Sequence, residues 1–404
     1  MKKTLPVKSV TVRRLLGLSA FLVACGITTV GLAQTRTIRV VTYNIEDDIN
    51  GATTPLPGLI APSSGGSVTN GGVLEGIGEE VLASGTNRPI DILTLQETTS
   101  NTTTVQPIVD GLNAFYGSRT NPAGYAMSPY QATDDGGETD GGGPNAMVYN
   151  TNTLQLIASV GVGTPNSSSE PRQIVRYEFA PAGVNPTSNN EFYVYVDHYK
   201  SGSAASDVST RNAEAQIVRG DVATLPSNAR VLFTGDFNTG NAGEAMYQTL
   251  VAPGTNQAFD VYNPSGSASS NFDSCSTVFA LTESATDLRY RDDYEMMTSN
   301  VLYGVAGGLA YVAGTYHGFG NNGSPPCNGS VNNGSDTALN SDLNTTGVGI
   351  TASQLYQYLT TASDHLPVVA DYTIPVPATL QNIQTVFVIM MANQNWASIS
   401  GNAA

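Results

Sequence analysis

The sequence predicts an α/β protein, and three observations carry that reading. Short runs rich in β-branched and aromatic residues recur along the chain, as core strands do. Stretches with apolar residues at helical spacing lie between some of them. Unit after unit then ends in a polar or ionisable residue: Asn44, Glu97, His198, Asp236 with Asn238, Asp293, and Asp364 with His365.

The first strand spans 37–43 (TIRVVTY) and runs into Asn44, followed by Glu46, Asp47 and Asp48. Taken alone, an asparagine there is an ordinary turn former. Residues 51–72, rich in Gly, Pro, Ser and Thr, predict a loop. A helix is expected over 73–83, with Leu74, Ile77, Val81 and Leu82 on one side. The second core strand is DILTLQE at 91–97; a glutamate closing an apolar strand is costly unless paired or metal-bound. Residues 101–145 predict loop with one short helix, and the acidic, glycine-rich 134–143 lacks the full spacing of a calcium loop. A hairpin is expected from 146–149 and 154–160, turning at 150–153.

Residues 174–179 and 192–196 form the next predicted strand pair, with Arg172 leading in and Asp197-His198 leading out. A lone histidine there would usually be structural. A helix over 210–225, with Ile217, Val218, Val222 and Leu225 on one face, leads to the central stretch RVLFTGDFN at 230–238. In it a buried strand stops at Gly235, and Asp236 and Asn238 emerge two residues apart, a spacing that can set both on one side of the chain. Residues 242–250 predict a helix, 262–285 a loop, and 290–297 a strand carrying Asp293 beside Asp292. The insertion 303–350 is rich in Gly, Asn and Ser, and His317 within it reads as a loop residue without a partner. Ser363-Asp364-His365 precede a last strand at 368–372.

Composition bounds the rest. The chain has 404 residues, 40% hydrophobic and 12% charged, enough for one large core or two domains. A basic start (Lys2, Lys3, Lys8, Arg13, Arg14) precedes an uncharged apolar run over 15–33 with small residues at its end, the pattern of a signal peptide removed after Ala33. Cleavage at a lipoprotein box ending in Cys25 is less favoured, because the apolar run continues past it. No stable membrane span is expected after removal, and the product is expected to be secreted or periplasmic. The leader holds five of the 17 basic residues and no acidic one, so the remainder carries 12 Lys+Arg against 33 Asp+Glu, a formal charge of −21. That charge repels polyanions unless cations intervene. In an oxidising compartment Cys275 and Cys327 are expected to pair and close one loop.

The strand-end set contains carboxylates, amides and two imidazoles but no nucleophilic Ser or Cys in a recognisable elbow. Oxygen-rich ligands suit Mg²⁺, Mn²⁺ or Ca²⁺ rather than zinc. The chemistry they fit is metal-assisted attack of water on phosphorus.

TYN at 42–44, LQE at 95–97, Arg172, DH with YKSG at 197–202, GDFN at 235–238, DDY at 292–294 and SDH at 363–365 stand in the order and spacing of a known group. On these motifs the sequence resembles the endonuclease/exonuclease/phosphatase family with the pancreatic deoxyribonuclease-like fold, over 37–372. The resemblance implies a four-layer sandwich of two packed mixed β-sheets flanked by helices, in a domain at 37–373. It implies that Asn44 and Glu97 bind a divalent metal, with Asp364 sharing it. His365 would be the general base or a transition-state partner, and Asp236 and Asn238 would position water and phosphate. His198 and Arg172 would contact the phosphate, His198 would also serve as the general acid, and Asp293 would buttress an imidazole. It leaves open whether Asp292 or Asp293 faces the site. The implied activity is phosphoester hydrolysis by a monomer, with an extracellular nuclease first and a phosphomonoesterase or lipid phosphodiesterase second. A non-catalytic binding module would show broken motifs, and here every position is filled. Residues 374–404 read as a linker and a truncated tail; 383–396 is similar to the opening strand of an alkaline-phosphatase-like phosphoesterase.

Overall fold

The computed structural model describes residues 34–47, 55–61, 70–83, 85–117, 124–129, 143–163, 171–270, 272, 274–305 and 307–376. The expected leader with Cys25, most of the acidic 134–143 stretch and the 383–404 tail with Trp396 lie outside the described residues.

Among the described residues, twelve strands form two sheets. The first holds β1 (Gln34–Asn44), β2 (Ile92–Gln96), β3 (Tyr125–Met127), β4 (Ala146–Asn150), β10 (Ala310–Tyr311), β11 (His317–Gly318) and β12 (Val368–Val376), in the order β10-β12-β1-β2-β4-β3 with β11 also on β12. The second holds β5 (Leu154–Val162), β6 (Ile174–Pro181), β7 (Phe192–His198), β8 (Val231–Asp236) and β9 (Asp293–Met297) in sequence order. Both are mixed: β1 with β2 and β7 with β8 are parallel, and the other pairs are antiparallel. The helices are α1 (Leu56–Leu59), α2 (Val73–Gly78), α3 (Gln106–Gly117), α4 (Ala205–Val222), α5 (Ala245–Val251), α6 (Ser299–Leu302), α7 (Ala338–Asp342), α8 (Thr345–Val348) and α9 (Ala352–Ala362).

Apolar residues dictate the layering. Alternate residues of the central strands point to opposite faces. Ile38, Val40, Ile92, Val175, Tyr177, Val194, Leu232 and Val368 meet between the sheets. Val41, Leu93 and Leu95 turn outward under Leu74, Ile77, Leu112 and Leu355 of the helices, and Tyr195, Val231 and Phe233 pack under Val218 and Leu250. Each such fully buried side chain contributes about 1.5–3 kcal/mol. The result is the expected four-layer sandwich, with the C-terminal ends of the parallel pairs β1/β2 and β7/β8 brought to one rim.

Several elements depart from expectation. The 146–160 stretch is not a hairpin: β4 pairs with β2 and β3 in the first sheet, and β5 pairs with β6 in the second. The turn between them is a crossover, held by Arg36 donating to the Thr153 carbonyl (3.1 Å) and the Thr153 hydroxyl donating to Asp91 (2.6 Å). The helix expected over 73–83 stops at Gly78. Its last carbonyls instead accept from buried Arg39, whose guanidinium spans the Ile77 and Glu80 carbonyls and both oxygens of Asp371. α9 was not signalled, and β12 continues to Val376, into the expected linker, by pairing with the start of β1 (Gln34↔Val376). His317 is not a partnerless loop residue. It lies on β11 against β12, and its Nε2 is 2.9 Å from the Glu80 carboxylate, a partner 237 positions away in sequence.

Candidate active site

Strand register assembles the site. Parallel pairing of β7 with β8 sets His198 beside Asp236, and antiparallel pairing of β8 with β9 sets Asp236 beside Asp293, so three ionisable residues share one row. In the other sheet Asn44 is beside Gln96, one residue before Glu97. Gly235 makes the row possible. Its φ is +140°, and a Cβ there would collide with the Asp197 carbonyl. Glu97 and Asn238 hold φ of +55° and +48°, conformations that cost a non-glycine residue about 1–3 kcal/mol and that cluster at functional sites.

Asn44 ties the sheets together. Its Nδ2 donates to Glu97 Oε1 and to Asp236 Oδ2, both at 3.0 Å. His198 Nε2 lies 3.4 Å from Glu97 Oε1 and 3.7 Å from Asp236 Oδ2. Asn238 donates its backbone N–H to Asp236 Oδ1 (2.8 Å) and its side-chain amide to the Tyr199 carbonyl (3.0 Å). Arg172 is buried, and its guanidinium donates to the Tyr199 carbonyl (2.9 Å), so it braces the end of β7. The ring of His365 is fixed by Asp293, Nδ1 to Oδ2 at 2.8 Å, and its Nε2 faces Asp364 Oδ1 at 3.6 Å and Asp236 Oδ2 at 3.9 Å. Ser363 holds this loop down by donating to the Asn44 carbonyl (2.7 Å) and accepting from the His365 N–H (3.0 Å).

Burial sets the protonation. It raises the Glu97 carboxyl to about 8 and the Asp236 carboxyl to about 7, partly offset by the Asn44 hydrogen bonds and the charge of His365. Burial alone would lower His365, but the charge and hydrogen bond of Asp293, then Asp236 and Asp364, hold it well above the ordinary histidine range. Asp292 does not face the imidazole. It is buried and held well above the carboxylate range by burial and by its hydrogen bond with Glu283. Burial would raise Glu283 as well, yet the Asp292 hydrogen bond and the charge of His365 hold it low.

Donor atoms of Glu97, His198 and Asp236 lie within 4.8 Å of one another, and those of Glu283, Asp364 and His365 form a second such group. Glu97 and Asp236 are carboxylates that burial penalises when charged, so a cation between them would offset that cost. The donor set therefore fits a divalent metal. Bound there, the ion would polarise a phosphoryl oxygen and lower the pKa of water.

Two participants stand outside the set of residues expected from the sequence. Glu283 lies in the stretch read as loop, next to His365 across an isolated bridge, with nothing local to mark it. Glu214 does carry a signal: it is an acidic residue one turn before Val218, on the face of α4 that is buried. It accepts from the Arg172 and Lys200 backbone N–H groups (2.8 and 2.9 Å) and so positions the His198 turn.

A two-sheet sandwich with carboxylates, amides and imidazoles at one rim defines a metal-dependent phosphoester hydrolase. The profile of the endonuclease/exonuclease/phosphatase family matches residues 70–365, and the chain belongs to that family. Among solved structures, the human Nocturnin catalytic domain with bound sulfate is 15% identical, covering 84% of this chain and 96% of its own at a TM-score of 0.46. A family protein from Bacteroides thetaiotaomicron is 16% identical over 88% of this chain and 100% of its own, TM-score 0.45. TDP2 of D. rerio complexed with single strand DNA product is 12% identical over 83% and 98%, TM-score 0.46. No curated protein matches the chain.

Proposed function

We propose that this chain is an exported nuclease that hydrolyses phosphodiester bonds with Mg²⁺ or Mn²⁺. The observation that carries the reading is the buried Asp293–His365 pair, aimed across 3.9 Å at Asp236 beside Asn44 and Glu97. His365 serves as the base for the attacking water, or, while charged, as the partner of the phosphoryl oxygens in the transition state, and Asp293 holds its ring in register. Asp236 and Asn238 orient that water and the phosphate. His198 stands where it can meet a phosphoryl oxygen or the leaving group, and Arg172 supports it through the backbone. Asn44 and Glu97 hold the ion, and Asp364, whose Oδ1 lies 3.6 Å from His365 Nε2, shares it. The disulfide between Cys275 and Cys327 (Cα–Cα 5.2 Å) supports export, because such bonds persist in oxidising compartments. The enzyme is proposed to act as a monomer.

The test is hydrolysis by the chain from Gln34 onward of plasmid DNA, a nucleotide monoester and a phospholipid, with Mg²⁺, Mn²⁺ or EDTA, beside His365→Ala. Metal-dependent nicking lost in the variant supports a nuclease. Cleavage of only the monoester or the lipid keeps the site and overturns the substrate.

A further inference from the structure

We propose that the cavity around Arg230, remote from the active site, binds a phosphate group, either free phosphate or that of a small phosphate monoester. The site does not depend on the proposed hydrolysis. Arg230 stands immediately before β8, and Asp236 closes that strand at the catalytic rim. The separation is about 20 Å at roughly 3.3 Å per residue.

The cavity encloses about 400 Å³, the size of a small-ligand pocket. It lies between the turn that leads into β8, the 254–259 loop after α5, and the start of α6. Its lining includes the side chains of Ser227, Asn228, Thr255 and Ser299, and no carboxylate. Among the described residues these four side chains make no hydrogen bond, so their donors are available to a ligand.

Arg230 gives the cavity its character. It is only 6% exposed, and its Nε is shielded from solvent without a hydrogen-bond partner. Every other described arginine donates to a carboxylate or a backbone carbonyl, as Arg39 does to Asp371, Arg176 to Asp221 and Arg172 to the Tyr199 carbonyl. A buried cation without an acceptor is costly, and a bound anion offsets that cost. Burial lowers the pKa of Arg230; it would lower Arg291 too, but the charge of Asp260 raises that group. Gly308 packs against the guanidinium, where a Cβ would collide with Nε. Arg219 adds a second positive charge behind the wall, donating to the Ala252 and Thr255 carbonyls (both 3.3 Å).

The donor set selects phosphate over carboxylate. A guanidinium fork takes two oxygens of either group, but phosphate has a further oxygen and a further charge for the hydroxyls and amide to meet. Phe259 lines the cavity as well and offers an apolar surface to the organic part of a monoester.

The test is calorimetric titration of the chain from Gln34 onward, in EDTA and without DNA, with inorganic phosphate, adenosine 5′-monophosphate and acetate at one ionic strength. The wild type is expected to bind one phosphate or one nucleotide per chain, and acetate far more weakly. Arg230→Gln is expected to weaken binding about tenfold or more. Arg230→Lys, which keeps the charge and loses the fork, is expected to weaken it about threefold. Circular dichroism checks folding, and Arg230 has no partner whose loss would unfold the chain. His365→Ala should bind as the wild type does, which separates this cavity from the active site. Equal affinity for the two phosphates supports the site with phosphate itself as ligand; tighter binding of the nucleotide supports it with the monoester as ligand. No binding by the wild type, unchanged binding in both Arg230 variants, loss of binding in His365→Ala, or acetate bound as tightly as phosphate would overturn the proposal. Hydrolysis is measured apart from this titration, so its absence would count against the proposed function and leave the anion site standing.

Discussion

His365 depends on a single carboxylate for its orientation. Asp293 is fully buried, starts β9 opposite Asp236, and grips Nδ1 at 2.8 Å. Asp293→Asn keeps the shape but can present the wrong group to the ring. We expect kcat to fall about 10–100-fold, with KM and melting temperature little changed; equal rates in the two proteins would remove Asp293 from the machinery. His317 makes a different prediction, remote from the chemistry. Burial would lower its pKa, but the charge and hydrogen bond of Glu80 raise it above the ordinary value of about 6.5. A raised folded-state pKa means that the stabilisation is complete below about 6.5 and is lost as pH rises through the folded value. The melting-temperature gap between wild type and His317→Gln should therefore be widest near pH 5.5 and close toward alkaline pH. A gap independent of pH would show that the pair is held by packing alone.

At the scale of elements, the 275–293 segment joins the insertion to the site. Cys275 is tied to Cys327, the Leu288 N–H donates to the Gly329 carbonyl (3.1 Å), and the Val331 N–H donates to the Ala285 carbonyl (3.0 Å). The same segment pairs with 364–366 and receives the Asp292 and Asp293 N–H groups on the Thr282 hydroxyl (3.3 and 3.1 Å). The disulfide spans 52 residues and should contribute about 2–4 kcal/mol, so Cys275→Ser with Cys327→Ser is expected to lower the denaturant midpoint accordingly. An unchanged midpoint would mean that the insertion holds itself without the bond. The sequence exposed some elements and hid others for physical reasons. β1, β2, β6, β7, β8 and β12 are apolar on at least one face and read directly as strands. β4 and β5 also read as strands, but which sheet each joins is decided by partners outside the stretch, β2 for β4 (Ile92↔Tyr149) and β6 for β5 (Leu154↔Pro181). β11 has only two residues and exists because β12 offers an edge.

For the whole molecule, most of the candidate site was legible because it is written at strand ends. A costly polar residue after an apolar run needs a reason, and Asn44, Glu97, His198, Asp236 and His365 share one rim. Glu283 was not legible, since its place depends on a bridge to His365 that no local pattern encodes. Outside residues 1–33 the chain carries a formal charge of −21 and keeps six carboxyl groups (Glu97, Asp236, Glu283, Asp292, Asp293 and Asp364) in and behind a site with two imidazoles. A cation is what lets such a site accept an anionic phosphoester. The most direct measurement is the initial rate of cleavage of a defined DNA duplex by wild type and by the isosteric Asp236→Asn, each with Mg²⁺ or Mn²⁺ and again after EDTA. We predict that the wild-type rate disappears with EDTA and returns with the ion, and that Asp236→Asn loses about 10²–10³-fold or more at every ion concentration. A rate that survives EDTA, or an Asp236→Asn enzyme as fast as the wild type, would contradict hydrolysis at this site.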